Sequence, residues 1–96
     1  MTIGSDPRWQ IDVVIMPKPG VNDPEGESIL GGLHSLGYDE VRRVRSGKTI
    51  HLEVTAPSEV AARDRAAAMA DRLLANPVIE VYEVVVTGRS SQESDA

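Results

Sequence analysis

Two hydrophobic periodicities alternate along this chain, and their order restricts the folds that it can adopt. Apolar residues at every second position are typical of half-buried strands, whereas spacings of three and four are typical of amphipathic helices. The pattern predicts a strand at 9–16, a helix between Asp23 and Gly37, strands at 41–45 and 49–56 joined by a turn at Ser46–Gly47, a helix from Ser58 to Asn76, and a last strand at 78–86.

This order of elements predicts an α+β fold. Two helices of this size can cover only one face of a four-stranded sheet. With right-handed crossovers, the result is a ferredoxin-like βαββαβ two-layer sandwich with an antiparallel sheet. A chain of 96 residues suffices for one domain. We place that domain at residues 9–87, between a flexible N-terminus at 1–8 and a flexible C-terminal tail at 88–96.

Residues with known capping preferences mark the ends of both helices. Asp23 precedes a proline, so its carboxylate can accept hydrogen bonds from free backbone N–H groups at a helix start. Gly37 supplies the left-handed conformation that ends a helix, and Ser58 is the expected cap of the second helix. Gly31 and Gly32 cost the first helix about 1 kcal/mol each relative to alanine, which indicates close backbone contact with another surface.

The last predicted strand is apolar on both faces, although the helices cover only one face of the sheet. Val14 and Met16 add apolar side chains to the outer face of the first strand. Exposed apolar surface of this kind usually marks an interface. We therefore predict a homo-oligomer joined through the sheet, with Val14, Met16, Tyr82 and Val84 at the interface.

Composition narrows the classes of function. The chain has no cysteine, which excludes a thiol nucleophile and a cysteine-based zinc site and fits a reducing cytosol. Its net charge of −5 argues against general nucleic-acid binding. Residues 1–7 lack the pattern of a signal peptide, and no stretch is long enough to span a bilayer. We expect a cytoplasmic protein that binds neither nucleic acid nor membrane.

No grouping of residues predicts a chemical centre. His34 and His51 lie on different elements, and neither has a second histidine at ligand spacing. The carboxylates are spread over several elements, and none is paired for acid–base work. Residues 46–49 end like a phosphate-binding loop, but Arg42 stands where that loop needs glycine. We predict no catalytic residues, no metal site and no bound cofactor.

Positive charge is concentrated in one part of this acidic chain. The cluster consists of Arg42, Arg43, Arg45 and Lys48. It could receive a phosphate or an acidic surface of a partner. It could also be a solvated edge strand whose charges deter unwanted pairing. Both interpretations remain open at the level of sequence.

Three segments together resemble one protein family. They are residues 20–26 (GVNDPEG), residues 36–38 (LGY) with 45–48 (RSGK), and residues 73–80 (LLANPVIE). Their order and spacing are similar to those of the PurS family, the small subunits of phosphoribosylformylglycinamidine synthase, over residues 13–85. Glu25 departs from the glutamine that is usual in the family, and the terminal extensions lie outside the resemblance.

The resemblance implies a role in assembly within de novo purine biosynthesis. In this family, a glutaminase subunit releases ammonia, and a synthetase subunit uses ATP, with magnesium, and that ammonia to make formylglycinamidine ribonucleotide. The small subunit is a dimer or tetramer without catalytic residues, which holds the other two together and could aid ammonia transfer. Arg45, Lys48, Asn76 and Glu80 lie on turns and strand ends of the matched segments and are the expected partner contacts.

A second interpretation comes from another functional class. A stand-alone ligand-binding regulatory domain with the same order of elements would sense a small metabolite in an interface pocket near residues 20–26. A third, an independent small enzyme, lacks a nucleophile or base that the sequence could nominate.

Overall fold

A computed structural model describes residues 6–90 of the chain, which form a three-stranded antiparallel sheet and two helices. The elements are β1 (Arg8–Pro17), α1 (Pro24–Ser35), β2 (Lys48–Thr55), α2 (Glu59–Met69, extended by a π-helical turn at Ala70–Leu74) and β3 (Glu80–Ser90). The strand order is β2-β1-β3. The predicted ferredoxin-like α+β class is confirmed, with one strand fewer than expected.

Strand β1 lies at the centre of the sheet because every second side chain on it is apolar. Ile11, Val13 and Ile15 are almost completely inaccessible to solvent, and Trp9 is buried beside them. The indole Nε1 of Trp9 donates to the carbonyl oxygen of Ala56 at 2.9 Å, so its one polar group is satisfied. Apolar residues of β2 and β3 on the same face complete this core.

Helix α2 packs on this core through small side chains. Ala62, Ala66 and Ala70 are each fully buried, which allows the helix to approach the strands closely. The hydroxyl of Ser58 accepts from the backbone N–H of Ala61 at 3.1 Å. The predicted cap of the second helix is therefore confirmed.

The predicted strand at residues 41–45 is wrong. Residues 41–47 have no regular secondary structure, and the end of this segment is bonded to other parts of the chain. The guanidinium of Arg45 donates to the carbonyl of Pro17, and the backbone N–H of Ser46 donates to the carboxylate of Asp23. Strand β2 consequently pairs only with β1 and remains an edge strand.

The last strand begins and ends later than predicted. It starts at Glu80 and continues through Gly88 to Ser90, whose backbone pairs with Arg8 at the start of β1. The tail therefore cannot begin at Gly88, as the loss of apolar periodicity had indicated. Likewise, the backbone at Pro7 accepts a hydrogen bond from Ala56. The rest of the two predicted flexible ends, residues 1–5 and 91–96, lies outside the described residues.

Helix α1 stands apart from the core. Gly26 is its single buried residue, and α1 makes no extensive contact with the strands or with α2 in residues 6–90. The chain is accordingly elongated, with a longest dimension of 61 Å and a radius of gyration of 17.9 Å. A compact domain of this size would have a radius of gyration of about 12 Å. The predicted two-layer sandwich thus has only one of its two helices in place.

Candidate partner-binding site

The loop after β1, the start of α1 and the residues before β2 meet at one end of the sheet. We call this meeting point the junction and define it by Pro17, Asp23, Glu25, Arg45 and Ser46. Asp23 lies at its centre: Oδ1 accepts from the backbone N–H of Gly26 at 3.0 Å, and Oδ2 accepts from that of Ser46 at 2.7 Å. The predicted cap of α1 therefore also fixes a segment 23 residues further along the chain.

The contacts of Asp23 favour its charged form. The N–H of Ser46 contributes most and that of Gly26 next, and together with the positive charge of Arg45 they lower the pKa of the Asp23 carboxyl below its ordinary value of 3.8, although partial burial acts in the opposite direction. The junction therefore contains a carboxylate at neutral pH.

Two glycines let the backbones approach each other at the junction. A Cβ on Gly26 would lie 2.5 Å from Oδ2 of Asp23 and 2.6 Å from the carbonyl oxygen of Val44. A Cβ on Gly47 would overlap the carbonyl oxygen of Ile15 and the sulfur of Met16. Side chains at either position would push these segments apart, so close packing here requires glycine.

Glu25, the departure from the family pattern, also takes part in the junction. Its carboxylate accepts a hydrogen bond from the hydroxyl of Ser46. An amide oxygen of glutamine could accept the same bond, so the contact does not depend on the charge of Glu25. What the carboxylate adds is a negative charge in the first turn of α1, where the helix dipole favours it.

A cleft of about 220 Å³ opens beside the junction. Its lining consists of Ile15, Pro17, Glu25, Ser46, Gly47, Lys48 and Glu80. Lys48 pairs with Ile15 and Glu80 pairs with Pro17, so one positive and one negative side chain flank the end of β1. Such a mixed, open cleft suits contact with a polar protein surface better than enclosure of a small ligand.

The structure brings all four predicted partner contacts to this end of the molecule. Arg45 belongs to the junction, and Lys48 and Glu80 line the cleft. Asn76 joins them through its backbone N–H, which donates to Oε1 of Glu80 at 2.7 Å, while its own Oδ1 accepts from Val78 at 3.0 Å. Their clustering is a result of the fold, and their role in binding a partner stays a prediction.

The predicted oligomer residues divide between the two faces of the sheet. Val14 and Met16 lie on the outer face as expected, but Tyr82 and Val84 pair with the buried residues Ile15 and Val13 and therefore point towards α2. The prediction that Tyr82 and Val84 lie on the outer face is therefore wrong. Both faces of β3 are apolar, so only its register against β1 shows which side chains point outward. The apolar residues of β3 on the outer face are Val81 and Val85.

Tyr82 instead ties β3 to α2. Its hydroxyl lies 3.2 Å from the carbonyl oxygen of Ala67 and 3.0 Å from Oδ1 of Asp71, to either of which it can donate. The hydrogen bond to Asp71 raises the pKa of Tyr82 above its ordinary 10.0, with smaller contributions from burial and from the charge of Asp71. Tyr82 is thus a structural contact of the helix-side face.

A polar cross-strand group on the outer face was not apparent in the sequence. The two ring nitrogens of His51 lie 2.7 Å from Oδ1 of Asp12 and 2.7 Å from Oε1 of Gln10, on the neighbouring strand β1. The alternating sequence pattern predicts that these side chains lie on a strand face, but only the register between β1 and β2 shows that they are neighbours. No cluster of three or more potential metal ligands occurs among residues 6–90.

The region considered for a metabolite, near residues 20–26, forms a second cleft of about 400 Å³. Its walls include Gly20, Asn22 and Glu27 on one side and Arg43 and Arg45 on the other. All buried side-chain nitrogen and oxygen atoms in the described part of the chain have partners, so no unsatisfied buried group points to a missing ligand there.

These features define a class of protein before any comparison. It is a small α+β domain that carries exposed apolar surface on a detached helix and on the outer face of its sheet. Surfaces of that kind serve contact with other chains. No helix within residues 6–90 is both long and apolar enough to cross a membrane.

Comparison with known proteins identifies the family. Residues 10–88 match the PurS family, described as phosphoribosylformylglycinamidine (FGAM) synthase. The PurS subunit of phosphoribosylformylglycinamidine synthase from Synechocystis is 44% identical over 75 residues, which are 78% of this chain and 75% of the relative. The chain belongs to the PurS family, as the resemblance of its segments had predicted.

Solved structures agree with the family and with the fold. The PurS subunit structure from Thermotoga maritima superposes with a TM-score of 0.78 at 34% identity and covers 83% of this chain and 92% of that one. A chain of the PurLQS structure from Thermotoga maritima gives a TM-score of 0.77 at 34% identity and covers 83% of this chain and 98% of that one. The alternative of a stand-alone regulatory domain is not favoured.

Proposed function

We propose that this chain is the small, non-catalytic subunit of phosphoribosylformylglycinamidine synthase and assembles with a synthetase subunit and a glutaminase subunit. The observation that carries the proposal is the match over residues 10–88, which spans nearly all of the described domain. The likeness to a chain of a PurLQS structure supports assembly with two further kinds of subunit.

The division of activities in the proposed complex is the one that membership of the PurS family implies. Glutamine hydrolysis, ATP and magnesium belong to the two partners, and this subunit binds no cofactor. It holds the partners together and, by extension, aids the passage of ammonia from one to the other. The cleft flanked by Lys48 and Glu80 is the proposed contact with a partner. We also propose a cytoplasmic location, in line with a chain without cysteine.

The same proposal includes self-association into a dimer or tetramer. The outer face of the sheet presents Val14, Met16, Val81 and Val85, of which Val81 is 44% exposed. A second copy of this face would bury these apolar side chains in a symmetric contact. The purified chain should therefore elute as a dimer or larger species at micromolar concentration, and a monodisperse monomer in light scattering would refute self-association.

Reconstitution with the separate partners tests the assembly role. Glutamine-dependent formation of formylglycinamidine ribonucleotide should require all three subunits, because ammonia must pass between two of them. Synthesis from added ammonium salt should need this chain much less. If omission of the chain left both rates unchanged, the proposed function would be wrong.

A further inference from the structure

One serine of the chain lies inside its basic cluster. Arg42, Arg43 and Arg45 precede Ser46, and Lys48 follows it. Ser46 is the only serine or threonine in the sequence with an arginine three residues before it. The alternative of a solvated edge strand does not apply to this cluster, because residues 41–47 have no regular secondary structure. What remains from the sequence is a cluster suited to a phosphate or to an acidic surface of a partner.

The surroundings of Ser46 are open to another protein. Arg42 and Arg43 are exposed, and Ser46 itself is half-buried. Ser46 also lines the cleft of about 220 Å³ beside the junction, so a larger group on this residue has room. Other serines of the described chain lie within regular elements, for example Ser28 in α1 and Ser90 in β3.

Two carboxylates hold Ser46 in place, and both accept hydrogen bonds from it. The hydroxyl of Ser46 donates to the carboxylate of Glu25, and its backbone N–H donates to Oδ2 of Asp23 at 2.7 Å. A phosphate ester on the hydroxyl oxygen would carry a charge of about −1.5 to −2 at pH 7 and would present acceptor oxygens. It could no longer donate to Glu25 and would repel both carboxylates.

The neighbouring cations do not offset this repulsion while the junction is closed. The guanidinium of Arg45 donates to the carbonyl oxygen of Pro17. Arg43 lines the second cleft and not the cleft that Ser46 lines. Lys48 shares the cleft with Ser46, but the carboxylates of Glu25 and Glu80 line it as well. A phosphate would therefore gain Arg43 and Arg45 as partners only by breaking the bonds that close the junction.

We propose that Ser46 is a phosphorylation site for a serine/threonine protein kinase with an acidic substrate groove, and that the phosphate opens the junction. In the transfer, Oγ of Ser46 forms a bond to the γ-phosphorus of ATP, and the bond from that phosphorus to the β–γ bridging oxygen breaks. ADP leaves, and the hydroxyl proton passes to a base on the kinase. Carboxylates of the groove bind Arg42 and Arg43. Because Ser46 is held at the junction, transfer requires local opening there.

Phosphorylation of the purified full-length chain tests the site. The probe is calcium/calmodulin-dependent protein kinase II, which selects arginine three residues before the acceptor. Peptide mass spectrometry should locate one phosphate, on Ser46. Arg43→Ala should lower the rate about tenfold or more, whereas Arg65→Ala, at an exposed position of α2, should leave it unchanged. Asp23→Ala should raise the rate, because it frees the N–H of Ser46. Absence of phosphate on Ser46, or a rate indifferent to Arg43, would overturn the proposal.

Thermal melting tests the effect of the phosphate on the junction. The phosphorylated chain should melt about 4 °C or more below the unmodified chain, and a phosphatase should restore the melting temperature. Ser46→Ala loses the hydroxyl bond but gains no charge, so it should melt between the two. Glu25→Gln removes one of the repelled charges and should reduce the fall. A phosphorylated chain that melts at or above the temperature of Ser46→Ala would refute opening of the junction.

A consequence for assembly rests on the proposed function. Ser46 lines the same cleft as Lys48 and Glu80, which is the proposed contact with a partner subunit. Phosphorylation should therefore reduce co-purification with the synthetase and glutaminase subunits about tenfold or more. An unmodified chain that binds neither subunit would overturn the proposed function alone, since the site and the melting shift are measured without partners. Equal assembly of the two forms would instead refute control of assembly by the phosphate.

Discussion

The carboxylate of Asp23 accepts a hydrogen bond from the backbone N–H of Ser46 at 2.7 Å, which joins the start of α1 to the approach to β2. This one contact has consequences for the whole fold. Because Ser46 bonds to Asp23, it does not form the predicted hairpin turn, and β2 stays at the edge of the sheet. The same bond fixes the start of α1, which lies apart from the core. A local capping residue thereby decides which surfaces remain for other chains.

Replacement of Asp23 should destabilise the domain in a manner that depends on pH. The pKa of Asp23 is lowered in the folded state, so its stabilising contribution is complete above the ordinary value of 3.8 and is lost as pH falls through the folded-state pKa. Asp23→Ala should therefore lower the melting temperature at neutral pH, and the difference from wild type should narrow below about pH 4. Asp39→Ala, at an exposed position, is the control, and a pH-independent difference for Asp23→Ala would contradict the argument.

Alanine at Gly26 and at Gly31 should have opposite effects. At Gly26 the new methyl group would lie 2.5 Å from Oδ2 of Asp23 and 2.6 Å from the carbonyl oxygen of Val44, which must both move. At Gly31 a new methyl group would meet nothing within 4 Å. Gly31→Ala should raise the unfolding free energy in urea by up to about 1 kcal/mol through helix propensity. Gly26→Ala should lower it, and a gain at Gly26 would show that the junction is not tightly packed.

Tyr82→Phe should cost about 1 kcal/mol at neutral pH, because the hydroxyl loses its contacts with Ala67 and Asp71. The raised pKa of Tyr82 means that the folded state favours the neutral phenol. This contribution is present below the ordinary value of 10.0 and is lost as pH rises through the folded-state pKa. Ultraviolet titration of tyrosinate should show the Tyr82 pKa moving down in Asp71→Asn. An unchanged titration would exclude Asp71 as the cause.

Lys48→Glu should weaken assembly with the partner subunits without unfolding the domain. Lys48 is exposed at the start of β2 and flanks the cleft beside the junction, so a reversed charge would meet Glu25 and Glu80 there. Co-purification with the synthetase and glutaminase subunits, compared with thermal melting of the isolated chain, separates the two effects. Arg65→Glu, on the exposed side of α2, is the charge-matched control. A large loss of melting temperature in Lys48→Glu would indicate a structural role instead.

Much of the fold could be predicted because its signals are local. Asp23 before proline, Gly37 with φ of 98°, and Ser58 before α2 mark helix ends as expected, since capping depends on neighbours within a few residues. The central strand was equally clear, because its alternation around Val13 leaves one face for the core. Segments 73–80 and 45–48 carried the family resemblance, and the match over residues 10–88 confirms it.

The errors concern choices between partners that are distant in sequence. Val41 and Val44 suggested a strand, but a strand exists only if a neighbour pairs with it, and Arg45 and Ser46 bond instead to the loop after β1. Tyr82 was assigned to the outer face because β3 is apolar on both sides. The register of β3 against β1 places Tyr82 on the helix side of the sheet, and a shift of one residue would place it on the outer side.

By itself the sequence determined the class of fold, the ends of the helices, the central strand and the family, since each depends on short-range chemistry or on a pattern that relatives share. Only the tertiary structure decided that α1 leaves the sheet, that the four predicted contacts Arg45, Lys48, Asn76 and Glu80 gather at one end, and which side of β3 faces outward. Those outcomes depend on hydrogen bonds and strand register between segments far apart in the chain, such as the bond between Asp23 and Ser46, and no local pattern specifies them.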